Sequence, residues 1–94
     1  MDGLDYDFEG YIELFREGGS LRHLIDKESQ DVRLSMYALG RQGKLGDVQG
    51  SRPGMFSPIE RAKWDAWEKL KGMDQKVAQE KFCALGKTIV AKKK

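Results

Sequence analysis

At 94 residues the chain has room for one small domain and not two, with a modest core that has to be packed efficiently. Apolar residues make up 39% and charged residues 34%, and 17 basic against 15 acidic side chains leave a net charge of +2, too balanced to argue for nucleic acid on charge. The single cysteine, Cys83, excludes an intrachain disulfide, and with the single histidine, His23, it offers no metal set; no apolar run approaches the ~20 residues of a membrane span and no basic-then-apolar leader is visible, so a cytoplasmic location is expected.

Residues 1 to 9 begin acidic, with Asp2, Asp5, Asp7 and Glu9. Leu4, Tyr6 and Phe8 alternate with acids, but three residues do not make a strand. This stretch is read as an extension, residues 10 to 91 as the folded domain, and Lys92, Lys93 and Lys94 as a basic tail. A first helix is expected over roughly 10 to 25, where Tyr11, Leu14, Phe15, Gly18, Leu21 and Ile25 keep the three-and-four spacing of one face. Gly18 and Gly19 weaken it by about 1 kcal/mol each, and a glycine on an apolar face suggests close approach by a helix or a ligand. A second helix is expected over roughly 30 to 42, with Ser29 as N-cap, Leu34, Tyr37, Ala38 and Arg41 on one face, and Gly43 and Gly46 ending it. Residues 43 to 56 hold four glycines and a proline. Such a long connection reads as a functional loop, as a crossover between helices that are not neighbours, or as both. Ser57-Pro58-Ile59-Glu60 has the pattern of a capping box with proline at the first helical position, opening a third helix that should stop at Gly72. A fourth should run from about Asp74 to Val90, with Ala78, Phe82, Leu85 and Ile89 as its stripe. Four short helices imply an all-α bundle held by tertiary packing.

Three cations fall on faces that should be buried. Lys63 shares its side of the third helix with Ile59, Ala66, Trp67 and Leu70. Arg41 lies four residues from Tyr37 and seven from Leu34, and Arg22 lies four from Gly18 and three from Ile25. Two readings stay open. Each stem can cover apolar surface while its head reaches water. Alternatively, a concave site for an anionic, partly apolar ligand would need this mixture, with Arg and Lys holding phosphates and Tyr37 stacking on a planar base. Trp64 and Trp67 are read as core or near-core residues.

Arg52-Pro53-Gly54-Met55, followed by Ala62-Lys63-Trp64-Asp65-Ala66-Trp67 and Leu70-Lys71-Gly72, resembles the acyl-CoA-binding protein family. Met36-Tyr37, Arg41-Gln42 and Gly46-Asp47 match its spacing as well, and the resemblance covers roughly residues 13 to 90. It implies a four-helix bundle with an up-down-down-up path, in which the loop over 43 to 56 is the crossover. It also implies reversible binding of long-chain acyl-CoA thioesters by an intracellular carrier and pool former, with no catalytic residue, metal or cofactor. Carried over by position, Tyr37 would contact the adenine, and Arg41 and Lys63 the 3′-phosphate. Arg22 and Phe82 would flank the nucleotide, and Gly18 and Leu34 would help line the groove. The implied partners are the acyl-CoA and, transiently, acyl-CoA-using enzymes or membrane surfaces, for a monomeric protein that binds no nucleic acid. Gly40 and Phe82 stand where the family commonly has tyrosines, Ile59 and Arg41 where it has lysines, and the usual proline between the first two helices is missing.

A helical protein-interaction module with lost or weakened ligand binding is the alternative, and Gly40 and Ile59 favour it. An enzyme is not expected. His23 and Cys83 fall on different predicted helices, with no sign that a nucleophile meets a base.

Overall fold

The computed structural model describes residues 6–92. These form five helices and no strand: α1 (Phe8–Phe15), α2 (Arg22–Asp26), α3 (Gln30–Leu45), α4 (Pro58–Glu68) and α5 (Gln75–Ala91). The architecture is the expected all-α, up-down-down-up bundle, with α1 and α2 together making the first leg. The central helix is α3, which packs most extensively on α5 and α4.

The first leg departs from one continuous helix. Asp7 caps α1, its Oδ1 accepting from the Gly10 amide at 2.8 Å. Phe8, Tyr11 and Phe15 follow at the three-and-four spacing and are all buried. The helix then stops at Phe15. Gly18 has φ +85°, open to glycine at little cost, and a Cβ on Gly19 would run into the backbone carbonyls of Glu13 and Leu14. The chain folds back so that the Leu21 amide donates to the Leu14 carbonyl at 2.9 Å, and α2 restarts to bury Leu24 and Ile25. Phe8 and Glu9, expected in an extension, therefore belong to α1; residues 1 to 5 lie outside the described residues. At the other end Lys92 reaches Glu28 at 3.1 Å, while Lys93 and Lys94 lie outside.

Ser29 caps α3 as expected, its Oγ accepting from the Val32 amide at 3.3 Å, and Gly46 ends it at φ +85°. Gly43 does not end the helix. It lies inside it and is buried, and a Cβ there would sit 2.9 Å from both Gln79 Cγ and Phe8 Cζ. Close approach of α1 and α5 to α3 is what this glycine permits. The capping box at α4 does not form: Ser57 has φ −124° and ψ 66° and makes no side-chain capping bond. Regular helix ends at Glu68, and turns carry the chain to Gly72 at φ +92°. Asp74 caps α5, accepting from the Lys76 amide at 3.0 Å.

The core joins the two ends of the chain. Phe8 meets Phe82 edge-on at 5.3 Å. Tyr11 stacks on Phe15 at 5.6 Å, and Gly86 of α5 lies so close to both that a Cβ would be 3.0 Å from the Phe15 ring. Aromatic pairs in these geometries add to area burial.

Candidate functional site

One groove of about 610 Å³ runs between the first leg, α3 and the start of α4, within the usual size range of small-molecule sites. Its long wall is α3. Gln30, Arg33, Leu34, Tyr37, Gly40, Arg41 and Lys44 all line it, positions that helical periodicity places on one side. The other wall is Ile59, Ala62 and Lys63 of α4, and Ile12, Phe15, Ile25 and Phe82 supply apolar lining.

Charge is concentrated here. Arg16, Arg22, Arg33, Arg41, Lys44 and Lys63 line the groove against Glu17 and Asp26, although the whole chain carries only +2. A cleft lined by one sign focuses potential and raises the local concentration of opposite charge. At its centre the Arg41 Cζ lies 5.2 Å and the Lys63 Nζ 5.3 Å from the centroid of the Tyr37 ring. Both cations sit within cation–π range of a half-buried aromatic face. Among the described residues the carboxylate beside Lys63 is that of Glu60, a long contact at 3.9 Å, and the lysine side chain is 37% exposed. Arg41 is exposed. Arg22 pairs with Asp26 at 3.1 Å and reaches the Phe15 carbonyl at 3.5 Å, which ties α2 to the end of α1.

A set of polar contacts from the connection after α3 fixes the position of α4, and so of Lys63. Arg52 grips Asp65 with two bonds, Nε to Oδ1 at 2.8 Å and an Nη2 to Oδ2 contact at 2.7 Å. This guanidinium holds the Asp65 carboxyl below the usual aspartate range. Trp67 donates from Nε1 to the Gly46 carbonyl at 2.9 Å. Asp47 accepts from the Gly72 amide at 2.8 Å and from Gln42 Nε2 at 2.9 Å, and those two bonds push its pKa down. Gln42, fully buried, also donates to the Met73 carbonyl at 2.8 Å.

Six of the seven expected site residues, Arg22, Leu34, Tyr37, Arg41, Lys63 and Phe82, line the groove. Gly18 does not. It is exposed in the turn between α1 and α2, and Arg16 and Glu17 line the groove beside it. Phe82 is only 3% exposed and is chiefly a core residue packed on Phe8. Gly40 explains how that ring reaches α3, since a Cβ at this position would lie 3.2 Å from Phe82 Cε1 and 3.4 Å from Ile12 Cδ1. Arg33 and Lys44 were missed in the sequence, although their spacing from Tyr37 and Arg41 would have found them. Arg16, the residue that ends α1, lies one turn after Ile12, and that spacing would have found it too. Trp67 is core, 7% exposed, and Trp64 is half-buried. Cys83 lies outside the groove with its thiol pKa raised by burial. Among the described residues no group of three or more His, Cys, Asp or Glu is placed to hold a metal, and no helix is long and apolar enough to cross a membrane.

A profile of the family described as "Acyl CoA binding protein" matches residues 5–86. The chain is 40% identical to "Acyl-CoA-binding protein" of Saccharomyces cerevisiae over 81 residues, covering 85% of this chain and 93% of that one. It is 48% identical to "Acyl-CoA-binding protein homolog 3" of Caenorhabditis elegans over 54 residues, covering 57% of this chain and 47% of that protein. Its fold superposes on the crystal structure of Oryza sativa Acyl-CoA-Binding Protein 2 with a TM-score of 0.79 at 30% identity, over 96% of this chain and 91% of the other.

Proposed function

Because this chain belongs to the acyl-CoA-binding protein family, we propose that it binds long-chain acyl-CoA thioesters reversibly and tightly, as a monomeric cytoplasmic carrier and pool former with no chemistry or cofactor of its own. The observation that carries this reading is Tyr37 held against Arg41 and Lys63 inside one groove with an apolar lining. An adenine stacks on Tyr37, the ring beside which Arg41 and Lys63 lie. The 3′-phosphate lies between Arg41 and Lys63, where it replaces the long Glu60 contact with a charge-assisted one. Arg22 and the edge of Phe82 flank the nucleotide, and Leu34 lines the path of the chain. Gly18 serves indirectly, by turning the backbone that sets α2 and Arg22.

The magnitudes fit. Burying a methylene is worth ~0.8 kcal/mol, so a chain of about 14 carbons offers on the order of 10 kcal/mol, of which association takes back roughly 4–15. Phosphate and stacking contacts then supply both the surplus and the selection for CoA. Calorimetry with palmitoyl-CoA, palmitate and CoA tests this. The ester should bind far more tightly than either part, and equal affinity for palmitate and palmitoyl-CoA would overturn the reading.

One observation favours the alternative of an interaction module. Phe56 is 94% exposed and Met55 70% exposed in the connection that leads into α4, and Ile59 on the α4 wall of the groove is 70% exposed. Large apolar side chains presented together mark contact surfaces, here for acyl-CoA-using enzymes or membrane surfaces. The same titration separates the two, since a module that has lost its ligand shows no heat with any acyl-CoA.

A further inference from the structure

A second recess, about 400 Å³, lies on the far side of Leu34. Its walls are Ala38 and Leu39 of α3, Ala66 of α4, and Leu70 and Met73 from the turns after α4. Among the residues lining the two, Leu34 is the one common to both. It is half-buried, a single side chain between two hollows.

The main groove changes character along α3. Around Tyr37 and Arg41 it is cationic and aromatic, and Leu34 comes one turn nearer the start of the helix. Beyond Leu34 it is bordered by Arg33 and Gln30. Methylenes gain by leaving water and gain nothing by covering charges, which lose hydration when covered. A long chain that set out from Tyr37 and ran straight on would meet a guanidinium and an amide. Past Leu34 it would instead meet alanine, leucine and methionine side chains that are half-buried or buried, with the exposed Asp31 and Ser35 at the border.

We propose that the second recess takes the distal methylenes of a long acyl chain, which turns at Leu34 to enter it, so that Leu34 and the recess set chain-length preference. The inference rests on the main groove being the acyl-CoA site. Lys69 and Lys81 border the recess, and their stems extend its apolar wall while their heads reach water.

Two measurements on the full chain test it. The first uses methyl-labelled protein and stearoyl-CoA spin-labelled near its methyl end. The nitroxide should broaden the Leu39 and Met73 methyl signals, whereas a label near the thioester should broaden Ile12 and Ile25. The second is calorimetry across saturated acyl-CoAs from decanoyl to eicosanoyl, on the parent and on Ala66→Leu, which fills the recess. Affinity of the parent should climb by up to about fourfold per added methylene, the equivalent of ~0.8 kcal/mol, into the longest chains. The variant should bind decanoyl-CoA within twofold of the parent and then level off. If Ala66→Leu does not fold, the spin-label result on the parent decides alone. Broadening confined to Ile12 and Ile25, or a variant that tracks the parent at every length, overturns the inference and leaves the main groove standing. Independent filling of the recess by palmitate, seen as Leu39 and Met73 shifts without CoA, also overturns it, because the recess is then a separate fatty-acid site. Absence of binding by every acyl-CoA, decanoyl-CoA included, removes the groove assignment itself and the inference with it.

Discussion

Tyr37 carries two roles in one ring. It holds Arg41 and Lys63 near its face, and it offers a planar surface to the groove. Losing a ring that stacks on a base costs ~1–3 kcal/mol. Tyr37→Ala should therefore weaken palmitoyl-CoA binding by at least several-fold in calorimetry, while Tyr37→Phe keeps most of it. Equal loss in both variants would move the credit from the ring to the hydroxyl. Lys63 falls, by its helical position, on a face expected to be buried. The structure softens that picture, because the side chain is 37% exposed and rests near both Glu60 and Tyr37. Lys63→Met should thus leave urea stability within about 0.5 kcal/mol of the parent, as surface ion pairs contribute little. It should lose roughly 1.5–3 kcal/mol of palmitoyl-CoA binding, the scale of a hydrogen bond to a charged group. An acyl-dephospho-CoA, which lacks the 3′-phosphate, should bind parent and variant alike. If the variant loses as much on that ligand, Lys63 does not meet the 3′-phosphate. The place of Tyr37, Arg41 and Lys63 on the groove was legible beforehand because α3 and α4 are regular where they sit, so spacing alone puts each on the side that lines it. The effect of Gly40 was not, since only the packed structure shows Phe82 and Ile12 in the space its missing side chain leaves.

At the scale of elements, starts were easier to read than stops. Ser29 and Asp74 cap their helices as their chemistry suggests, because each side chain needs only its own next turn. The first leg was misread as one helix because its apolar stripe keeps helical spacing straight across Gly18 and Gly19. Periodicity cannot register a fold-back that restores the same face. The capping box failed for a related reason: Ser57 enters α4 from a turn whose shape is set by the connection, not by the helix. That connection is pinned by aspartates. Asp65, beside Arg52, and Asp47, beside the Gly72 amide and Gln42, both titrate below the ordinary aspartate range of about 4. Their stabilising contribution is complete above the unfolded value and is lost as pH falls through the depressed folded values. Urea midpoints of the parent should accordingly drop from pH 5 to pH 2. In Asp65→Asn the midpoint at pH 7 should be lower than in the parent and the acid-induced drop shallower. An unchanged acid slope would mean that the Arg52 grip adds nothing in solution.

Across the whole molecule, the aromatic core couples α1 to α5. Phe8, expected in an extension, is 7% exposed and packs on Phe82. Its alternation with acidic residues hid it, although it stands three residues before Tyr11 and continues the helical stripe. Phe8→Ala should cost ~3–5 kcal/mol, as other large core truncations do, and lower the Tm by several degrees or more. A loss under 1 kcal/mol would place Phe8 outside the cooperative core. The same pairing bears on how the protein is made. During synthesis, Phe8, Tyr11 and Phe15 leave the ribosome long before Phe82 and Gly86, and α3 alone cannot enclose them. A nascent chain that pauses after α4 carries three bulky rings without their final partners, the kind of surface on which chaperones act. Folding of this domain is thus expected to be a late event, completed when α5 clears the exit tunnel.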